Sequence, residues 1–393
     1  MDRREFLQLA GLNGIFAGGV AATYLGYRRW RPQRRPQGEP SPSDDSPGGG
    51  DDDGEVIQNE QTRAGDVLFG VAPPPPESLF DPFEAWLGEQ HAVVGVFVDM
   101  GASEEKIESS VHETFEGIWQ RGHVPHGYFQ PFFPTREDTS NEINRAIAAG
   151  EYDETLQIWA ETLAEWAQEG DTERRIYLNL APEFNGDWSP WSPAVGDEDE
   201  DDFVEMWRHT HDLFAASGLE YEHVQWIWTL NNSTRGVDRR ACYPGDDYVD
   251  WAGIHGYNWT NWGIWQSAED VYDATVSTIR SITDNPIAIT EFGTSSETES
   301  GDHDAERKNE WIIDAFDYLH EEDIRMALWF NLVKETDWSV FGGEYGLESV
   351  NAGEEEFLAY PAYRDAVTED AVLGSHPNYE LPVTEDEFAG RFR

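Results

Sequence analysis

From about residue 66 onward, the chain alternates between short apolar runs and longer amphipathic runs. The apolar runs carry hydrophobic side chains at consecutive positions, which is typical of parallel strands that are covered on both faces. Eight such strands are predicted, at residues 67–71, 92–98, 124–129, 176–180, 224–228, 248–254, 287–290 and 325–330.

Amphipathic helices are predicted between most of these strands. One apolar stripe at helical spacing consists of Leu156, Trp159, Leu163 and Trp166. A second stripe lies between residues 311 and 319, whereas residues 231–247 show no helical pattern. Alternating strands and helices predict a (β/α)₈ TIM barrel, as a single catalytic domain over residues 65–393. A doubly wound sheet is the alternative, but no strand is followed by a glycine-rich phosphate loop.

The first 64 residues differ from this pattern. Arg3 and Arg4 precede an apolar stretch at residues 9–25, which resembles a twin-arginine export signal within residues 1–31. A membrane anchor is the alternative, because arginines follow the stretch without a clear cleavage site. Residues 32–64 are rich in Pro, Gly, Ser and Asp and predict a disordered linker. We therefore expect Tat-type export, with the protein secreted or held at the outer face of the cell membrane.

The charge balance indicates the ionic environment of the protein and excludes one class of binding partner. The chain has 78 acidic and 26 basic residues, for a formal net charge of −52. Such a surface repels nucleic acid and needs salt to screen its own repulsion. In this it resembles proteins of halophiles, so we expect a high-salt environment. A single cysteine, Cys242, excludes an intrachain disulfide and a cysteine-rich metal site, and we expect a monomer.

Two glutamates lie where such a barrel places its catalytic groups, at the carboxyl ends of its strands. Glu183 follows the fourth predicted strand, and Glu291 closes the seventh. Glycosidic cleavage uses such a pair, since one carboxylic acid protonates the leaving oxygen while the other carboxylate attacks the anomeric carbon. For either glutamate alone, a helix cap or a surface ion pair is the alternative. Together they predict a retaining hydrolase with Glu183 as acid/base, Glu291 as nucleophile, and carboxyl groups about 5–5.5 Å apart.

The segments around these glutamates carry a family resemblance. Residues 183–191 read Glu-Phe-Asn-Gly-Asp-Trp-Ser-Pro-Trp, and Glu291 stands in Ile-Thr-Glu-Phe-Gly. They resemble the acid/base motif and the nucleophile strand of glycoside hydrolase family 26. Residues 226–231 and 253–259 are similar to its fifth and sixth strands, and the similarity covers most of residues 66–345. The resemblance implies an endo-β-mannanase-like enzyme of the retaining (β/α)₈ clan, which works by double displacement and requires no cofactor or metal.

The resemblance also implies roles for neighbouring residues. Tyr257 would donate a hydrogen bond to the nucleophile and orient it, while Trp188 and Trp329 would line the sugar subsites. An indole face can stack on the apolar face of a sugar, although core packing is the alternative for each tryptophan. Further candidates for substrate binding at the barrel mouth are Asn185, Trp191, Asn231, His255, Trp259, Trp262 and Trp265.

Three positions depart from the family pattern. Pro182 stands where the family has His, Asn179 where it has Arg, and His255 where it has Asp. The family's residues there contact or tune the inner sugar subsites, so the departures affect the substrate more than the reaction. β-Mannan is the first predicted substrate; β-glucan, β-1,3-xylan or an exopolysaccharide are alternatives. A catalytically silent glycan-binding protein with a tryptophan-lined cleft is the alternative from another functional class.

Overall fold

The computed structural model of the protein describes residues 65–75, 77–169, 173–233, 235–352, 355–376 and 381–391. The predicted export signal at residues 1–31 and the predicted linker at residues 32–64 lie outside the described residues. None of the helices within the described residues is long and apolar enough to cross a membrane. The same part of the chain contains no group of three His, Cys, Asp or Glu side chains arranged to hold a metal ion.

A closed barrel of eight parallel strands forms the centre of the described structure. Each strand pairs with the next along the chain, and β8 pairs with β1 to close the ring. The strands are β1 (Val67–Val71), β2 (Val93–Asp99), β3 (Val124–Gln130), β4 (Ile176–Leu180), β5 (Val224–Asn231), β6 (Trp251–Asn258), β7 (Ile287–Thr294) and β8 (Met326–Trp329). The predicted (β/α)₈ barrel is confirmed.

Helices surround the barrel and bury one face against it. They are α1 (Glu77–Leu87), α2 (Glu104–Ser109), α3 (Glu116–Gln120), α4 (Ile143–Ala148), α5 (Asp153–Gln168), α6 (Glu200–Ala216), α7 (Ala268–Arg280), α8 (Ala305–Glu321), α9 (Pro361–Val367) and α10 (Glu385–Phe388). A π-helical turn, Ser110–Phe115, joins α2 to α3, and a 3₁₀ turn, Thr260–Trp262, follows β6. The predicted stripe on α5 is buried. The described residues between β5 and β6 contain no helix, as the sequence pattern predicts.

Three strands extend at least three residues further toward the barrel mouth than the apolar runs predict. β5 continues to Asn231, β6 to Asn258 and β7 to Thr294. Polar side chains can occupy the carboxyl ends of these strands because they face the mouth rather than the apolar core. As a result, Tyr257 and Glu291 lie within strands, and the backbone ladder fixes their positions.

The C-terminal part of the chain adds elements that the sequence pattern does not predict. A small antiparallel sheet consists of β9 (Phe341–Gly343), β10 (Glu348–Ala352) and β11 (Glu355–Ala359), and β12 (Val372–Leu373) pairs in parallel with β1. Beyond β12, Phe388 of α10 packs at the amino-terminal end of the barrel. Its carbonyl accepts hydrogen bonds from the Tyr177 hydroxyl at 3.1 Å and the Trp251 indole at 3.3 Å. The C-terminal segment therefore closes the end of the barrel opposite the two glutamates.

Candidate active site

The chain turns sharply at the end of β4, and this turn places Glu183. Ala181 and Glu183 have positive φ angles of 47° and 58°. The backbone N–H of Glu183 donates to the carbonyl of Thr229 in β5 at 3.0 Å. A left-handed backbone costs a non-glycine residue about 1–2 kcal/mol, and such strain is concentrated at functional sites. The turn keeps the glutamate against the neighbouring strand instead of letting it continue into the loop.

Three side chains hold the carboxylate of Glu183. The Trp188 indole Nε1 donates to Oε2 at 2.8 Å, and the Asn231 amide Nδ2 donates to Oε1 at 2.8 Å. Nδ1 of His255 lies 3.2 Å from the same Oε1. Asn231 and His255, both predicted to bind sugar, therefore contact the predicted acid/base instead. The side chain of Glu183 is still 17% exposed, so a ligand can reach it.

Glu291 lies across the mouth in β7. The hydroxyl of Tyr257 donates a hydrogen bond to its Oε2, which is the contact that the sequence predicts. Nδ1 of His255 is 3.7 Å from the same oxygen. A register shift at Ile254/His255 places His255 opposite Glu291 in the β6–β7 ladder. Such bulges re-aim side chains next to active sites.

The two carboxylates therefore share one neighbour. Nδ1 of His255 lies 3.2 Å from an oxygen of Glu183 and 3.7 Å from an oxygen of Glu291. These distances limit the separation between the two oxygens to about 7 Å at most, which includes the spacing of about 5–5.5 Å used by retaining glycosidases. The geometry therefore allows one sugar carbon and its leaving oxygen to contact both groups.

The electrostatic environment separates the pKa values of the two carboxyl groups. Burial would raise the pKa of Glu183, but the hydrogen bond and charge of His255, with the bonds from Asn231 and Trp188, hold it below its ordinary value. Burial raises the pKa of Glu291, and the charge of Glu183 adds to this against His255 and Tyr257. The predicted acid/base role of Glu183 implies a raised pKa, because a general acid must be protonated near neutral pH. The structure gives the opposite direction because the hydrogen bond and charge of His255, with the hydrogen bonds from Asn231 and Trp188, outweigh the effect of burial on Glu183.

A glycine determines where Trp188 lies. The indole of Trp188 crosses the backbone at Gly186, where an added Cβ would lie 2.4 Å from two ring carbons. Only glycine therefore allows the ring to approach closely enough for its N–H to reach Glu183. The contact between Trp188 and Glu183 therefore depends on the glycine at position 186.

Comparison with known proteins identifies the family. A sequence profile described as glycosyl hydrolase family 26 matches residues 104–332, which is more than half of the chain. The chain belongs to glycosyl hydrolase family 26. It is 27% identical over 307 residues to Endoglucanase H of Acetivibrio thermocellus, covering 76% of this chain and 30% of that protein. It is 24% identical over 110 residues to a beta-1,3-xylanase of Vibrio sp., covering 28% of this chain and 21% of that protein.

The chain thus spans less than a third of the length of either of these two relatives. Among solved structures, the catalytic domain of a family 26 endo-beta-1,4-mannanase from a Bacillus species superposes with a TM-score of 0.57 at 15% identity. The superposition covers 79% of this chain and 87% of the Bacillus domain. At that identity the likeness shows a common fold.

Several residues predicted to bind sugar are instead buried behind this family 26 site. Trp329 is 0% exposed, and its indole donates to the carbonyl of Trp338 at 2.9 Å. Trp191 is 1% exposed and donates to the carbonyl of Pro182 at 2.9 Å. The predicted stacking of Trp329 on sugar is wrong in this structure, because its ring is fully covered. Trp191 is almost fully covered but is among the residues that line the pocket beside Trp188, so its contact with sugar stays a prediction. Both indoles donate hydrogen bonds to backbone carbonyls and so stabilise the loops at the barrel mouth.

Asn185 and Trp259 are also corrected by the structure. Asn185 is fully buried and joins two loops, because its amide donates to the carbonyl of Asn231 at 2.9 Å and accepts from the Asn231 N–H at 2.8 Å. Trp259 is buried, and its indole donates to Glu297 at 2.7 Å. Neither side chain presents a free polar group to the cleft. Asn185 instead keeps Asn231 in reach of Glu183.

Tyr257, Trp262 and Trp338 form an aromatic wall beside the predicted nucleophile. Trp338, which no sequence pattern indicates as a site residue, lies with its ring 5.0 Å from that of Tyr257 and 5.9 Å from that of Trp262. Trp262 is 39% exposed and is the tryptophan of this wall that a ligand can reach. Trp338 follows the last barrel strand in a stretch with no periodic pattern. A buried pair consisting of Lys308 and Asp337 holds this stretch in place.

A pocket of about 280 Å³ opens beside Trp188, whose indole donates to Glu183. Phe132, Arg136 and Trp188 are among the residues that line it. The Arg136 guanidinium lies 4.2 Å from the centre of the Phe132 ring and forms an ion pair with Asp99. The pocket thus combines aromatic faces with a cation held by Asp99, and Trp188 connects it to the carboxyl group predicted to protonate a leaving group.

Proposed function

We propose that the protein is a retaining glycoside hydrolase that cleaves β-linked polysaccharide by double displacement. The observation that carries this proposal is the pair of carboxylates at the ends of β4 and β7, which lie against the same nitrogen of His255. An oxygen of Glu291 attacks the anomeric carbon, while Glu183 donates a proton to the departing oxygen. Glu183 then removes a proton from the water that hydrolyses the glycosyl ester.

Hydrogen bonds support this assignment of the two roles. Tyr257 binds one oxygen of Glu291, which orients the group for attack by the other oxygen. Asn231 and Trp188 each donate to Glu183 and fix its plane. The pocket beside Trp188 suits the sugar units on the leaving-group side, since Trp188 lines the pocket and donates to Glu183.

For the substrate we propose β-mannan first, cut within the chain. The motif resemblance and the shared fold of the Bacillus mannanase domain support this choice. β-Glucan is the second candidate. The 27% identity to an endoglucanase favours it, as do Pro182, Asn179 and His255, which replace residues of the family pattern at the inner subsites.

Release of reducing sugar by the full chain in molar salt tests the proposal. The substrates are β-mannan, β-glucan, β-1,3-xylan and native exopolysaccharide. Glu183→Gln and Glu291→Gln should each abolish release. Glu165→Gln, on the exposed face of α5, is the matched control and should not change it.

The anomer of the first product, followed by NMR, tests the stereochemistry. A β product supports double displacement, and an α product contradicts it. A folded protein that releases nothing but still binds glycan would instead be the catalytically silent binding protein.

A further inference from the structure

His255 occupies an unusual position between the two carboxylates. Its side chain is buried, and Nδ1 lies 3.2 Å from Glu183 Oε1 and 3.7 Å from Glu291 Oε2. The register shift in the β6–β7 ladder places it there, directly opposite Glu291. We refer to Glu183, His255 and Glu291 as the proton triad.

The other groups that face His255 do not titrate near neutral pH. On β3, burial lowers the pKa of His126 far below its usual value, and the charge of His255 adds to this, so His126 is neutral. Burial also raises the pKa of Tyr128 on β3 and of Tyr257 on β6 well above the usual range, with the charge of Glu291 adding to both. Both phenols are therefore neutral.

One cation outside the triad acts on it. Lys334, in the segment after β8, lowers the pKa of Glu291 through its charge and also pairs with Glu335 at 3.3 Å. The proton equilibrium around His255 is thus set mainly by the two carboxylates.

Two arrangements of the triad contain the same number of protons. In the first, His255 is an imidazolium and both glutamates are ionised. In the second, His255 is neutral, Glu183 is protonated and Glu291 is ionised. They differ only in whether one proton is bonded to Nδ1 or to Oε1, across a contact of 3.2 Å. The second arrangement is the one that the proposed hydrolysis requires.

We propose that His255 is a positioning residue that holds the acid proton of the reaction on Nδ1 until a glycan occupies the cleft. This proposal rests on the proposed function. When the glycan displaces water, the Nδ1–H bond breaks and the Oε1–H bond of Glu183 forms, which leaves a neutral imidazole. The same proton then passes to the glycosidic oxygen as its bond to the anomeric carbon breaks and Glu291 bonds to that carbon.

Desolvation gives the transfer its direction. The first arrangement has three charges within one small volume, and the second has one. Removing water penalises the arrangement with more charges, because an ion pair in a less polar medium loses hydration at each end.

The free protein favours the first arrangement. Burial would lower the pKa of His255, but the charge of Glu291 and the hydrogen bond and charge of Glu183 raise it above the usual value. The lowered pKa of Glu183 has the same origin. Nδ1 of His255 is thus the preferred proton site before the substrate binds.

The pH profile of His255→Asn in the full chain tests the proposal. The Asn amide can still donate a hydrogen bond to Glu183 but cannot hold the proton. In the wild type, kcat/KM levels off toward lower pH once the proton moves onto His255. In the variant it should keep rising until Glu183 itself is protonated. We expect the alkaline limb of the variant's kcat/KM profile to lie about one pH unit lower than that of the wild type. The plateau of kcat/KM should be at least as high in the variant. At pH values above the wild-type limb, the two profiles should converge.

An NMR titration makes the test independent of hydrolysis. The imidazole of His255, assigned by comparison with His255→Asn, should titrate above about 6.5 in the wild type, and its pKa should fall in Glu183→Gln. An unchanged alkaline limb in His255→Asn, or a wild-type His255 that titrates below about 6.5, would overturn the proposal. If no glycan is cleaved, the proposed function fails while the titration still decides where the proton lies.

Discussion

Replacement of Tyr257 by Phe tests the orientation of the proposed nucleophile. The Tyr257 hydroxyl donates to Oε2 of Glu291 in the structure. Burial, followed by the charge of Glu291, raises the pKa of Tyr257 well above its usual range, so the hydroxyl remains a donor throughout the working pH range. Tyr257→Phe keeps the ring, which packs against Trp338, and removes only this donor.

The size of the effect follows from the charge on the acceptor. A hydrogen bond to a charged group contributes about 1.5–3 kcal/mol, which corresponds to a loss of roughly 10- to 150-fold in kcat/KM. The variant should also change the acid limb of the pH profile. The hydrogen bond from Tyr257 lowers the pKa of Glu291, so its loss raises that pKa and moves the acid limb to higher pH.

Tyr272→Phe is the matched control. The hydroxyl of Tyr272 is buried and donates to the carbonyl of Gly256 at 2.7 Å, one residue before Tyr257, but it contacts neither carboxylate. This variant should lose stability by about 1 kcal/mol and keep its kcat/KM and acid limb. A Tyr257→Phe protein with kcat/KM within about threefold of wild type and an unmoved acid limb would refute the role given to this hydroxyl.

Three further predictions concern the loop of Trp188, the buried ion pair and the surface. Gly186→Ala should displace Trp188 from Glu183, because its Cβ would meet the indole at 2.4 Å, and should lower kcat/KM by about tenfold. Asp337→Asn should cost about 3–5 kcal/mol in chemical denaturation, because Lys308 would lose its counter-ion in a fully buried site where burial already lowers its pKa to about 8; Lys308→Met should cost less. The melting temperature should rise steeply between about 0.1 M and 2 M NaCl, since salt screens the net charge of −52; an unchanged melting temperature would contradict this.

The barrel could be predicted because parallel strands covered on both faces leave unbroken apolar runs. β1 and β4 begin and end where the sequence pattern predicts. β6 and β7 extend beyond their predicted ends because their last residues are polar and line the mouth. The apolar run of each strand thus ends before the polar residues that line the barrel mouth. The closure of the opposite end by α10 depends on long-range packing of Phe388, which no local pattern indicates.

The tryptophans show why burial could not be predicted. A tryptophan in a strand or a mouth loop gives the same sequence signal whether it stacks on sugar or packs in the core. Trp329 packs against Phe292 and Tyr363 and is covered, whereas Trp262 extends from a 3₁₀ turn and is exposed. The difference depends on which neighbours reach each ring. The position of His255 likewise depends on a register shift between two strands, which appears only when both strands are in place.

The proton triad also bears on how the two catalytic roles are assigned. From pKa directions alone, Glu291 would be the acid, because its pKa is raised, and Glu183 the nucleophile, because its pKa is lowered. Those directions describe a free protein in which His255 carries the proton. In the proposed transfer of that proton to Glu183, the imidazole becomes neutral, Glu183 becomes the acid, and Glu291 keeps the hydrogen bond from Tyr257 that suits a carboxylate. The geometry and the electrostatics therefore agree only if the triad is treated as one titrating unit with one mobile proton.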